Sequence, residues 1–206
     1  MSDRGTLGAA QAPRQQMLGG AADLLSRRGV GGVSIRSLAD HSGTPLGSTY
    51  HFFPGGKQQL VAEAVRHAGD RVDRMLHAAL EAGPVVGLER FIGAWRAILV
   101  DSGFETGCPV LSVAVTESRQ GDGARGVELA DAAFTTWQST LAASLHTSGC
   151  GKERARQLAL LVVTAVEGAI VLCRAAGSIA PLDEIERVLL PLVRASTVHV
   201  EDITND

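Results

Sequence analysis

Residues 34–57 read SIRSLADHSGTPLGSTYHFFPGGK, two short helices with a tight corner between them. Ser34 is a good helix N-cap, because its hydroxyl can accept from the free backbone N–H groups of the turn it starts. Ile35, Leu38 and Ala39 follow at helical spacing, which gives this helix one apolar face and leaves Arg36 and Ser37 pointing elsewhere. Gly43 suits the positive φ of a C-terminal stop. Thr44-Pro45 then restarts the chain as an N-cap followed by a proline at the first helical position. The corner is about three to four residues wide, as a helix-turn-helix requires.

In the second helix Thr49 and Phe53 lie four apart, with Leu46 one turn earlier, and this stripe docks the helix on its neighbours. The other side is small or polar. Gly47, Ser48 and His51, flanked by Tyr50, make a face of low bulk that is rich in donors and acceptors. Such a face fits a major groove, where hydroxyls and an imidazole meet base edges and a tyrosine hydroxyl meets a phosphate. Pro54-Gly55-Gly56 ends the helix and Lys57 opens the next, its ammonium opposing the helix dipole. A phosphate nearby would account for that placement.

Leu38-Ala39, the Gly43 corner, the run Ser48-Thr49-Tyr50-His51-Phe52-Phe53-Pro54 and Lys57 together resemble the DNA-binding signature of the TetR/AcrR family of transcriptional regulators. Phe-Pro-Gly-Gly-Lys, one residue longer than the commoner Phe-Pro-Ser-Lys, is similar to the LmrA/YxaF-like subgroup. Gly107-Cys108-Pro109-Val110-Leu111 and the stretch from Glu167-Gly168-Ala169 to Cys173-Arg174 also resemble that subgroup. The likeness is specific over roughly residues 10–60 and weaker beyond. Thr49 stands where leucine is usual, so a looser docking of the second helix is expected.

Bulk composition agrees with packed helices. Of the 206 residues 45% are hydrophobic, enough for a buried core, and only 4% are aromatic, with alanine, leucine and valine dominant, which disfavours a β-sandwich. The net charge of −3 hides an asymmetry: residues 1–57 hold six Lys/Arg against three acids, and the remainder holds 13 against 19. The positive charge lies with the helix-turn-helix. Cys108, Cys150 and Cys173 are odd in number and widely spaced, which suggests neither a disulfide framework nor a zinc site and fits a reducing cytoplasm. Residues 1–12 lack the apolar core of a signal peptide and read as a disordered tail. The longest apolar run, Leu158 to Cys173, is shorter than a spanning helix and is interrupted by Glu167, so no membrane segment is expected.

Helix spacing places a first helix from Pro13 to Gly29, with Leu18, Ala21, Ala22 and Leu25 as its buried stripe. Arg27 and Arg28 at its end either reach phosphate or remain a solvated helix end. From Lys57 to about Ala82 the stripe Leu60, Ala64, Ala68, Val72, Met75, Ala79 makes one long amphipathic helix without a breaker, a rigid join to whatever lies beyond. Gly83-Pro84 ends it. Leu88 to Asp101 is a further helix, Val110 to Val115 is read as helix for want of a partner strand, and Ser118 to Arg125 is read as a loop. Glu128 to Leu145 resumes helical spacing. Glu153 to Ala176 is apolar nearly all round in its middle and must be buried on several sides. The last helix opens at Pro181 and carries Leu182, Ile185, Leu189 and Leu192, with a kink or break expected at Pro191.

Several motifs fail on context. Gly121-Asp122-Gly123-Ala124-Arg125-Gly126 matches G-x-G-x-x-G, but no strand precedes it and position 144 is serine where an acidic ribose partner belongs. Gly56-Lys57 and Gly151-Lys152 lack the remaining residues of a phosphate loop. The histidines are scattered, so no metal site is expected, and no cofactor is called for.

The candidate DNA-contacting residues are Ser34, Arg36, Thr44, Leu46, Gly47, Ser48, Tyr50, His51 and Lys57. Candidate effector contacts are Trp95, Phe104, Phe134, Trp137 and Glu167; each aromatic is otherwise ordinary core. Glu167, mid-way along the apolar run, either lines an effector cavity or is paired within a dimer interface.

The expected fold is all-α, with a three-helix DNA-binding domain at 13–58 and a helical ligand-binding and dimerisation domain at 59–206. The expected function is a non-enzymatic repressor. It binds a near-palindromic duplex operator as a homodimer joined through its last two helices, and a small, largely apolar effector releases it. Arg14, Arg36 and Lys57 predict a steep salt dependence. The alternative is a small-molecule-binding helical protein or an enzyme that does not read DNA, since the second helix contains no Lys or Arg.

Overall fold

The computed structural model describes residues 4–197, and side chains from Pro13 onward. Among the described residues there are nine α-helices and no strand: α1 (Arg4–Arg28), α2 (Ile35–Ser42), α3 (Leu46–Phe52), α4 (Gly56–Leu80), α5 (Pro84–Asp101), α6 (Pro109–Thr116), α7 (Ala124–Thr147), α8 (Lys152–Ala176) and α9 (Ala180–Thr197). The all-α expectation holds. Single 3₁₀ turns at Val30–Gly32 and Gly121–Gly123 punctuate the connections.

Two compact units emerge. Residues up to Asp70 together with Cys108–Asp131 form one, and Arg71–Gly107 with the chain from Ala132 forms the other. This division differs from the expected 13–58 and 59–206. The helix-turn-helix unit also includes α6, because α6 packs on α1. Val110 and Val113 are fully buried there, and Val113 approaches the close face of Gly126. The helices α4 and α7 each give their first part to one unit and the rest to the other.

Several helix ends differ from expectation for local reasons. Residues 4–12, expected as a tail, belong to α1, which passes through Pro13, while residues 1–3 lie outside the described residues. Pro84 begins α5, where its missing N–H costs nothing because the first turn has no intrahelical acceptor. Ala124 and Arg125, expected in a loop, are the start of α7. Thr44 is not the cap of α3: Pro45 holds that position with an extended ψ of 135°. The helix α9 runs unbroken through Pro191, so the expected break is absent.

In the second unit the buried faces of α5, α8 and α9 meet through Ile92, Leu99, Ile170, Leu182 and Val193. Arg96 Nη2 reaches Asp183 Oδ1 at 2.8 Å and Glu186 Oε2 at 2.7 Å, tying α5 to α9. The hydrogen bond to Asp183 raises the Arg96 pKa above its ordinary value. The helix α8 buries Leu158, Val162, Val166, Ile170 and Cys173 yet exposes Leu160, Leu161, Val171 and Leu172. Burial pushes the Cys173 thiol up.

By length and composition α8 is apolar enough to cross a membrane, with a mean hydropathy of 2.1 over its most apolar window. The expectation counted only the run Leu158–Cys173, which is shorter than the helix that carries it.

Candidate nucleic-acid interface

Ser34 starts α2 through a reciprocal capping box: Ser37 N donates to Ser34 Oγ at 3.0 Å and Ser34 N donates to Ser37 Oγ at 2.8 Å. At the other end Gly43 adopts φ 61°, a left-handed stop that costs an L side chain energy, and Thr44 N closes the turn on Ala39 O at 3.0 Å. The corner therefore has the geometry its residues require.

On the inner side of α3 both Thr49 and Phe53 are completely buried. The Thr49 hydroxyl donates to Pro45 O at 3.2 Å and lies 3.2 Å from Thr44 Oγ1. Thr44, sought as a cap and a DNA contact, is thereby half-buried against Thr49. The buried hydroxyl at 49 is satisfied, as a polar group in a core must be.

Leu46 departs from its expected docking role and is 39% exposed. Gly47, Ser48, Tyr50 and His51 are exposed beside it, Tyr50 to 54%. These side chains and the glycine lie on one outward surface, with Arg36 and Lys57 also exposed on the flanking helices. Neither Arg36 nor Lys57 makes an ion pair among the described residues. Ser34 is half-buried, its hydroxyl engaged in capping.

A hydrogen-bonded chain that the sequence did not reveal fixes the end of α3. Gly55 N donates to Gln59 Oε1 at 2.8 Å, Gln59 Nε2 donates to Glu63 Oε1 at 3.0 Å, and Glu63 pairs with Arg14. The Arg14 guanidinium also lies 5.6 Å from the Phe53 ring centroid. Arg14, expected among the phosphate-facing cations, is spent inside the head. Gly56 has φ 66°, which gives the second glycine of Pro-Gly-Gly a conformational reason. Arg27 likewise bonds Asp23 at 3.0 Å, leaving Arg28 exposed at the end of α1.

The effector candidates separate in space. Trp137 and Glu167 share a cavity with Leu76, Leu88, Phe91, Leu141 and Val166, all in the second unit. Its volume of ≈ 20 Å³ has room for about one water. Phe134 stands edge-on to Trp137 at 5.1 Å without lining the cavity. Trp95 is buried elsewhere on α5 with its indole N–H lacking an acceptor, and Phe104 is half-buried in a left-handed conformation after α5 with φ 64°. Leu76, Leu88, Phe91 and Leu141 were not singled out because, in sequence, cavity-lining positions on an amphipathic stripe look the same as packed ones.

Comparison with known proteins gives one match over the helix-turn-helix and another over most of the remaining helices. Residues 17–64 match "Bacterial regulatory proteins, tetR family", and residues 84–188 match "Transcriptional regulator LmrA/YxaF-like, C-terminal domain". The chain is 37% identical over 188 residues to the HTH-type transcriptional regulator Rv0196 of Mycobacterium tuberculosis, covering 90% of this chain and 96% of that one. It is 28% identical over 183 residues to the HTH-type transcriptional regulator LmrA of Bacillus subtilis, covering 88% and 96%. A regulatory protein TetR from Rhodobacter sphaeroides shares the fold with a TM-score of 0.76 at 20% identity, over 86% of this chain and 97% of that one. The chain belongs to the TetR family of transcriptional regulators, in its LmrA/YxaF-like branch.

Proposed function

We propose that this TetR-family regulator is a repressor that binds a near-palindromic operator as a homodimer and leaves it when a small, largely apolar effector binds. The observation that carries the DNA half is the division of α3: Thr49 and Phe53 are buried, while Gly47, Ser48, Tyr50 and His51 are exposed. Ser48 and His51 meet base edges, and the Tyr50 hydroxyl with Arg36 and Lys57 meets phosphates. Ser34 and Thr44 support the interface through capping and through Thr49. With Arg14 paired to Glu63, the salt dependence rests on fewer cations than the sequence suggested.

The dimer half is supported by α8 and α9. Leu160, Leu161, Val171 and Leu172 on α8 and Val188 on α9 are about half exposed or more, and a second copy pairing the same two helices covers them. Water-facing leucines in that number mark an interface. The same covering accounts for the apolar length of α8 without a membrane, in keeping with a cytoplasmic regulator. Two recognition helices must then meet successive major grooves about 34–36 Å apart.

Release follows from α4, which is continuous from Gly56, just after the recognition helix, to Leu80 and carries Leu76 at the cavity. An effector that enlarges the cavity beside Trp137 and Glu167 displaces Leu76 and turns α4. A coupling of about 1–3 kcal/mol changes operator affinity ~5–150-fold. Phe134 backs that site through Trp137, while Trp95 and Phe104, which do not line it, are left out of the effector contact.

An electrophoretic shift titration on DNA flanking the coding region tests the reading. Retarded complexes that His51→Ala weakens, with the dimer intact, support it; equal affinity for any duplex of the same length overturns it. A helical protein or enzyme that does not read DNA would give no shift.

A further inference from the structure

We infer that α3 reads its operator chiefly through a thymine methyl group, with Leu46 as the residue that recognises it. The inference rests on the reading of α3 as the helix that enters the major groove, and adds the chemistry of what it recognises there.

Three observations converge. First, Leu46 is not part of the core: it is 39% exposed, although it lies one turn before Thr49 and Phe53, both of which are fully buried. An exposed leucine alone means little. Second, Leu46 and Tyr50 are four residues apart and so neighbours on one outward row, and Gly47 and His51 make the adjacent row. Gly47 carries no side chain, and beyond its chain neighbours a Cβ built there would meet nothing within 4 Å, so that row is low and open at its start beside the exposed leucine. Third, from Leu46 to Phe53 the helix holds no Arg, Lys, Asn, Gln, Asp or Glu.

The third observation decides between chemistries. Bidentate reading of guanine needs Arg or Lys, and of adenine Asn or Gln; a carboxylate is needed to accept from cytosine N4. None of these is on the helix. What remains is a hydroxyl at 48, an imidazole at 51 and an apolar side chain at 46. The thymine C5-methyl is the only methyl group that a base pair presents in the major groove. Leu46 therefore discriminates by burying that methyl, and Ser48 and His51 supply single hydrogen bonds beside it.

The test uses the full chain. A double-stranded pool with a randomised centre is selected on the protein, and the enriched operator is resynthesised with deoxyuridine at each half-site thymine in turn, which removes the methyl and keeps base pairing. Affinity is read by fluorescence anisotropy for the wild type and for Leu46→Ala, whose dimer and helical content are checked in parallel. For the wild type the critical uridine weakens binding about fourfold per methyl and about fifteenfold for the symmetric pair, the transfer value of one buried carbon at each site. Leu46→Ala binds the thymine operator more weakly by a similar factor and no longer distinguishes uridine from thymine.

If wild type and Leu46→Ala are equally sensitive to uridine, or neither is sensitive, the assignment of Leu46 is overturned while DNA reading by α3 stands. If no sequence is enriched, both fall. A consensus fixed by paired guanines with no thymine requirement also overturns the inference.

Discussion

The outward face of α3 offers a serine, a tyrosine and a histidine to solvent, whereas the outward face of α8 offers two adjacent leucines at 160–161 and Val171-Leu172 about three turns later. Both helices are anchored by thoroughly buried inner faces, Thr49 and Phe53 in one case and Leu158, Val162 and Ile170 in the other. A polar surface in water costs nothing by itself, so its meaning comes from shape and chemistry. An apolar stripe in water costs about 25 cal/mol for each Å² left uncovered. Under the proposed function the first face meets a transient, hydrated partner and the second a permanent, dry one.

Five variants sharpen or break that contrast. The largest effect is expected from Leu161→Glu combined with Leu172→Glu, which places charge in the apolar stripe. Sedimentation should show a monomer with helical content retained, and operator affinity should fall by two to four powers of ten, about the loss that follows from untethering two binding modules. A dimer that survives both substitutions would place the interface elsewhere.

Next is Phe53→Ala, which empties a fully buried site beneath α3. Truncation of a buried phenylalanine costs about 3–5 kcal/mol, so the denaturant midpoint should fall sharply and DNA binding with it. If DNA binding falls while stability does not, Phe53 contributes by contact and not by positioning.

His51→Ala should lower operator affinity by about 0.5–1.5 kcal/mol per half-site, the value of a single hydrogen bond, with the dimer unchanged in sedimentation. Tyr50→Phe should cost less, since only a hydroxyl to a phosphate is lost. Unchanged anisotropy titrations for both would remove the outward face of α3 from the interface. The smallest effect is expected from Thr49→Val, which removes the hydroxyl bonded to Pro45 O and facing Thr44. A loss of about 1 kcal/mol in chemical denaturation is expected, the worth of one hydrogen bond. A gain in stability would mean that the threonine fits its site less well than an apolar side chain does.

The order of elements was legible in the sequence because capping and periodicity are local. Ser34, Gly43 and the alternation of buried and bare positions from Leu46 to Phe53 state the helix-turn-helix within about twenty residues. The apolar length of α8 was equally plain. Helix ends were less so: Pro84 serves as well to start one helix as to stop another, and Pro191 proved tolerable within α9.

What the sequence could not state were meetings between distant residues. It marked Arg14 as a phosphate cation, and folding gave that charge to Glu63 and the Phe53 ring. It named five effector candidates, and folding brought only Trp137 and Glu167 to one cavity. It docked Leu46, which folding left at the surface.

By itself the sequence determined that the chain would fold into helices, that one short helix would keep a slim polar side, and that positive charge would gather near it. Those properties depend on neighbours within a turn or two, which the order of residues fixes directly. Tertiary structure decided which cations stay available, which aromatics share a cavity and which apolar groups remain uncovered. These depend on side chains distant in the chain, as Arg14 and Glu63 are at 49 positions apart, and only packing brings such residues together.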